Sequence, residues 1–112
     1  WAEGGWLSEL GYRDFAGSGV IHTLGGAAAL AGAIVVGPRH GRWDPELAAD
    51  FVPHSVPSVL SGTLILLVGW YGFNAGSTSA MSTEEHARQA ANAALTTTLS
   101  ACAGGVSAAA IK

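Results

Sequence analysis

"DFAGSGVIHTLGGAAALAGAIVVGP", Asp14 to Pro38, is the stretch whose reading decides the fold. After Asp14, the 24 residues of Phe15–Pro38 contain no Asp, Glu, Lys or Arg. Two further chargeless runs follow, Phe51–Thr83 and Gln89–Ile111. Each exceeds the roughly 20 residues that cross a hydrocarbon core about 30 Å thick. Charged residues make up 12% of the chain and hydrophobic ones 49%, whereas a soluble domain carries about 25% charged residues. The chain is therefore read as all-α and integral to a membrane, with three transmembrane helices near residues 15–37, 56–76 and 83–111. A polar loop over 38–55 joins the first two.

Local signals set the boundaries. Asp14 suits a helix N-cap, since its carboxylate can take first-turn N–H groups. Gly37-Pro38 stops the first helix. Asp44-Pro45 predicts a short surface helix over Glu46–Asp50. Ser55 and Pro57 open the second helix, and Ser82 with Glu85 forms a capping box for the third. Small residues recur every fourth position, at Gly25, Ala29, Ala33 and Gly37, and again at Ala93, Thr97, Ala101, Gly105 and Ala109. Such stripes let helix backbones approach closely in lipid. Trp1, Trp6 and Tyr12 suit a membrane–water interface. Arg39, Arg42 and Lys112 fall on one side by parity, against Arg13 and Arg88 on the other, which places the Arg39 loop in the cytoplasm.

Other classes are excluded or disfavoured. The first 15 residues hold Glu3, Glu9, Arg13 and Asp14 and have no apolar core, so they do not form a secretory signal. A net charge of −3 argues for no nucleic acid or other polyanion. Cys102 is the single cysteine, so no internal disulfide exists, and it reads as a small buried packing residue. No nucleophile elbow, phosphate loop, HExxH or CxxC occurs, so neither an enzyme nor a metal or cofactor site is expected. His40, His54 and His86 flank the helices and read as solvated. With Trp1 first and only three helices, residues 1–112 are read as one partial domain of a larger polytopic protein.

His22 stands apart, about a third of the way into the first chargeless run. An ionisable group deep in a membrane is costly and marks a substrate or proton route. Neutral imidazole both donates and accepts hydrogen bonds and exchanges a proton near physiological pH. A histidine that merely bonds a neighbouring helix is the plainer alternative. Asp14 is equally a helix cap or a carboxylate favouring a cation at a pore mouth. In "GWYGFNAGS", Gly69–Ser77, α-helical spacing puts Trp70, Phe73 and Ser77 on one face. That face reads either as bundle packing or as the lining of a narrow route, where aromatic rings also attract cations.

These stretches carry a family resemblance. "DFAGSGVIHTLGGAAALAGAIVVGPR", "GTLILLVGWYGFNAGS" and "TTTLSACAGG" resemble successive helices of the ammonium transporter (Amt/Mep/Rh) family, and "GPRHGRW" is most similar to its plant and algal branch. The resemblance covers essentially the whole chain and about three of the family's eleven helices, the fifth to the seventh. It implies movement of ammonium or ammonia through a narrow hydrophobic pore, a homotrimer with one pore per subunit, a plasma-membrane location, a cytoplasmic Arg39 loop and no cofactor. His22 then matches the first of two mid-membrane pore histidines. Phe73 matches one of two phenylalanines closing the outer end of the pore. Trp70 and Ser77 match residues of the pore approach and outer vestibule, and Asp14 the aspartate shaping the vestibule from beneath. Trp1 or Trp6 is the candidate vestibule tryptophan. The second histidine and second phenylalanine have no counterpart here. An ammonium sensor on the same fold is the alternative function, and a structural bundle or another small-solute channel the more distant one.

Overall fold

A computed structural model describes residues 2–111. It divides into two compact units, Trp1–Leu60 and Ser61–Lys112, taken separately below. All regular structure among the described residues is helical. Three helices are long and apolar enough to span a membrane: α2 over Ser18–Val36, α3 over Val56–Ala75 and α4 over Glu84–Ala110. A single short turn, α1 (Trp6–Glu9), precedes them within the N-terminal segment that the sequence presents as a loop.

α2 begins three residues later than the chargeless run suggests. The three residues after Asp14, Phe15 to Gly17, bring the chain round its carboxylate before the helix starts at Ser18. Gly17 sits in the left-handed region, with φ 86° and ψ 22°, a conformation open to glycine and strained for residues with a Cβ. At the other end, Gly37 takes a φ of 72° and donates its N–H to the Ala33 carbonyl at 3.0 Å. Pro38 then ends the helix.

The loop that follows contains a 3₁₀ helix over Pro45–Phe51, where the sequence predicts a surface helix. Asp44 Oδ1 accepts the Glu46 N–H at 2.9 Å, and Pro45 occupies the first turn. Arg42 stacks on Trp43 and Phe51, at 4.7 and 5.5 Å from the ring centroids, and Arg39 lies 5.5 Å from Phe51. Ser55 accepts the Ser58 N–H at the start of α3, at 3.3 Å.

α4 is capped by Thr83 instead of the predicted Ser82. Thr83 is extended, and its Oγ1 accepts the His86 N–H at 3.2 Å. With hydroxyls at both 82 and 83, the helix begins at the one whose carbonyl also accepts the Ala87 N–H, at 2.9 Å. Glu84 and Glu85 then face the positive end of the helix dipole.

Burial is sparse. Ala90, 4% exposed, is the buried hydrophobic side chain among the described residues. Leu30, Ile34, Val35 and Val36 on α2 are exposed, as are Leu64, Ile65 and Val68 on α3. Among the described residues of each unit, nothing outside the helix's own backbone lies within 4 Å of a Cβ added at Gly25, Gly26, Gly32 or Gly105. Cys102 is likewise exposed, contrary to the expected buried packing role, because no other described segment covers that part of α4. A surface this apolar is not one that water tolerates. It suits lipid and further helices, as in a multi-pass membrane protein.

Candidate functional site

In the first unit Asp14 organises the start of α2. Its Oδ1 accepts the N–H groups of Gly17 and Ser18, both at 2.8 Å. Its Oδ2 accepts those of Gly19 and Val20, both at 3.0 Å. The early N–H groups of a helix have no partner within it, and here one carboxylate takes four in succession. Partial burial pushes the Asp14 carboxyl upward, but the hydrogen bonds from Val20, Gly19, Ser18 and Gly17 outweigh it and hold the group below the usual carboxylate range. Asp14 is therefore not the N-cap residue, which is Gly17, but it does the work of a cap from four positions ahead of Ser18, as an acceptor cage for the free N–H groups.

The cage feeds into a wide turn. Residues Ser18–Thr23 are π-helical, and His22 is the fifth of them. The Gly17 carbonyl accepts both the Ile21 and the His22 N–H, each at 2.9 Å, so the first bond of the helix is shared between i+4 and i+5 donors. Thr23 Oγ1 donates to the Ser18 carbonyl at 2.8 Å, reaching back five residues. The His22 side chain is exposed within the unit. A cavity of about 520 Å³ lies beside this turn, with Leu7, Tyr12, Asp14, Gly19, Val20 and Thr23 among its lining residues. Gly19 keeps it close-walled, since a Cβ there would meet the Tyr12 hydroxyl at 2.7 Å.

The second unit contains the other wide turn. α3 is regular over Val56–Trp70 and π-helical over Tyr71–Ala75, with Phe73 at its centre. The common face of Trp70, Phe73 and Ser77 was expected from α-helical spacing, and it runs into this turn, where one turn takes more than 3.6 residues. Trp70 and Phe73 are 37% and 53% exposed. Ser77 Oγ donates to the Phe73 carbonyl at 2.7 Å, which turns its hydrogen inward and leaves its lone pairs as acceptors. The turn is tied to α4 by two side-chain bonds. Tyr71 Oη and Thr98 Oγ1 are 2.7 Å apart, and Asn74 Nδ2 donates to Thr97 Oγ1 at 2.9 Å.

Tyr71, Asn74 and Thr98 do not stand out in the sequence. The available signal is the run Thr96–Thr98 inside an apolar helix, where each hydroxyl needs an acceptor or a donor in lipid. Trp6 is exposed on α1, and Trp1, the other vestibule candidate, lies outside the described residues. His40 and His54 are exposed, as expected. His86 differs: it is half-buried at the start of α4, and its enclosed Nδ1 has no hydrogen-bond partner. Among the described residues no group of three or more His, Cys, Asp or Glu is placed to hold a metal ion.

The sequence matches the model of the Ammonium Transporter Family over residues 1–112. It is 43% identical over 119 aligned residues, covering 96% of this chain and 25% of the relative, to ammonium transporter Amt2 of Archaeoglobus fulgidus. It is 41% identical to ammonium transporter 1 of Schizosaccharomyces pombe, over 95% of this chain and 20% of the relative. To ammonium transporter 1 member 2 of Arabidopsis thaliana it is 46% identical, over 69% and 17% respectively. The chain thus spans about a quarter or less of the length of these curated relatives. No solved structure matches it.

Proposed function

Since the chain belongs to the Ammonium Transporter Family, we propose that it supplies three helices to a protein that moves ammonium or ammonia across the plasma membrane through a narrow apolar pore, as a homotrimer. His22 and Phe73 line that pore, Trp70 its approach, and Ser77 and Asp14 shape the outer vestibule. The observation that carries this reading is the coincidence of His22 and Phe73 with the two π turns of otherwise apolar spans. Wide turns of this kind occur frequently at functional sites.

The chemistry follows from the cost of charge in lipid. A bare cation in an apolar core costs several kcal/mol or far more, so a dry route favours neutral ammonia. Potassium can neither donate a hydrogen bond nor lose a proton. A hydroxyl acceptor such as Ser77 and an aromatic face favour ammonium at the mouth. An uncharged imidazole below them offers ammonia a lone pair and an N–H in place of water.

The test is paired uptake and electrical recording of the full-length protein and its variants, at matched membrane abundance, in ammonium and in K⁺. His22→Ala lowers uptake by about tenfold, equivalent to roughly 1.4 kcal/mol. His22→Glu and His22→Asp, which place a carboxylate where a cation passes, relax the discrimination against K⁺. If all three match wild type in rate and ion preference, His22 only packs or bonds a neighbour. Tight ammonium binding by wild type with negligible flux would point to a sensor instead.

A further inference from the structure

α4 and the π turn of α3 meet through polar side chains. Thr98 Oγ1 donates to the Ala94 carbonyl at 3.1 Å, and Thr97 Oγ1 to the Ala93 carbonyl at 2.7 Å. With its hydrogen directed to Ala93, the Thr97 oxygen is left as an acceptor for the Asn74 amide N–H, while Tyr71 Oη and Thr98 Oγ1 share a bond in which either hydroxyl can donate. All four side chains are half-buried. Tyr71 and Asn74 flank Phe73 and both lie within Tyr71–Ala75.

The π turn packs against α4, and these two hydrogen bonds lie within that contact. Among the described residues, nothing outside the helix's own backbone lies within 4 Å of a Cβ placed at Gly69, Gly72 or Gly76, so close packing of another backbone is not what holds the turn on its glycine side. A π turn is a departure from the regular ladder, and it persists where other contacts favour it. Hydrogen bonds between helices are available for that purpose in a membrane, where a polar side chain has no water to turn to.

We propose that Tyr71, Asn74, Thr97 and Thr98 are positioning residues, a two-bond clamp that sets the π turn and thereby aims Phe73 at the substrate path, so that the clamp tunes discrimination between ammonium and its bulkier methylated form. The inference rests on the pore reading of Phe73 given above.

The experiment uses the full-length protein at matched membrane abundance and reads the ratio of methylammonium to ammonium uptake. Tyr71→Phe and Thr98→Val each delete one hydroxyl at nearly constant shape. Each shifts the ratio by about threefold, in the direction taken by Phe73→Ala, and the double variant shifts it no further than either single, as expected of two residues acting through one bond. Asn74→Ala and Thr97→Ala behave in the same way. Thr97→Ser and Thr98→Ser keep the hydroxyl and restore the wild-type ratio, which general loss of packing would not allow. Wild-type ratios in the hydroxyl deletions, additive shifts in the double, or lowered abundance alone would overturn the clamp while leaving the gate intact, provided that Phe73→Ala still changes the ratio. If Phe73→Ala leaves the ratio unchanged, the gate reading falls, and the clamp's role with it.

Discussion

The wide turn at His22 is held from within six residues, by the Asp14 carboxylate and the Gly17 carbonyl. The wide turn at Phe73 is held from 23 and 27 residues away, by Thr97 and Thr98. The first uses a charge to collect backbone donors and needs no other helix. The second uses neutral side chains and forms only when α4 has docked. Loop-closure entropy makes the first quick to form and the second contingent on assembly. A turn fixed locally can present an imidazole at a constant place. A turn fixed across a helix pair can respond to whatever moves that pair.

Removing Asp14 breaks this comparison most forcefully. Asp14→Ala orphans four N–H groups at once, and the loss of a cap of this kind destabilises by about 2 kcal/mol or more. Asp14→Asn retains one acceptor oxygen but turns an amide N–H₂ toward the other two donors, so it keeps roughly half of that stabilisation. Thermal unfolding of the purified full-length protein in detergent measures both. Equal midpoints for wild type and Asp14→Ala would show that the cage contributes nothing.

A glycine pair sharpens the contrast. Gly17→Ala forces a Cβ into the left-handed region and to 2.7 Å from Ile21 Cδ1, at a cost of about 1–2 kcal/mol. Gly72→Ala meets open space at ordinary backbone angles within this chain, and helix propensity favours it by up to about 1 kcal/mol. Opposite shifts in unfolding midpoint are expected. A loss at Gly72 as large as that at Gly17 would mean that another part of the full protein packs against the second turn.

The smallest effect is confined to acid. The Asp14 carboxyl titrates below its ordinary range when folded. Its stabilisation is therefore present above the unfolded pKa, near pH 4, and is lost as pH falls through the lower folded value. The stability difference between wild type and Asp14→Asn stays constant from neutral pH to about 4 and narrows below it. A difference that narrows well above that range would contradict the lowered pKa.

The three spans were legible in the sequence because each contains a long run without charge, and lipid punishes charge more than it rewards any particular side chain. Asp44, Ser55 and Gly37 were legible as punctuation, since each acts on its own backbone neighbours. The late start of α2 was not. "DFAGS" reads as a cap followed by a helix, and only the left-handed Gly17 reveals that the chain first encircles the carboxylate. The π turns were hidden too, because five or six residues are too few to separate their period from 3.6 in an apolar sequence. Asn74 and Thr97 look like ordinary polar residues until their contact across two helices is seen. Thr83 displaced Ser82 as a cap although only Ser82 has a Glu three residues on, because either hydroxyl can take a first-turn N–H and the chain path decides between them. His22, Phe73, Trp70, Ser77 and Asp14 came from residue type and resemblance, while the backbone geometry around them came only from the structure.

The cage at Asp14 also has an electrical consequence. A helix start carries roughly half a positive elementary charge, and the carboxylate brings a full negative one that its lowered pKa keeps ionised. The two nearly overlap in space, so from a distance they add to a residual of about minus one half. Both oxygens are already committed to N–H groups. A passing monovalent cation would therefore be drawn by the potential of this helix end without a ligand atom reaching out to hold it, and an attraction without coordination slows departure far less than a chelating site would.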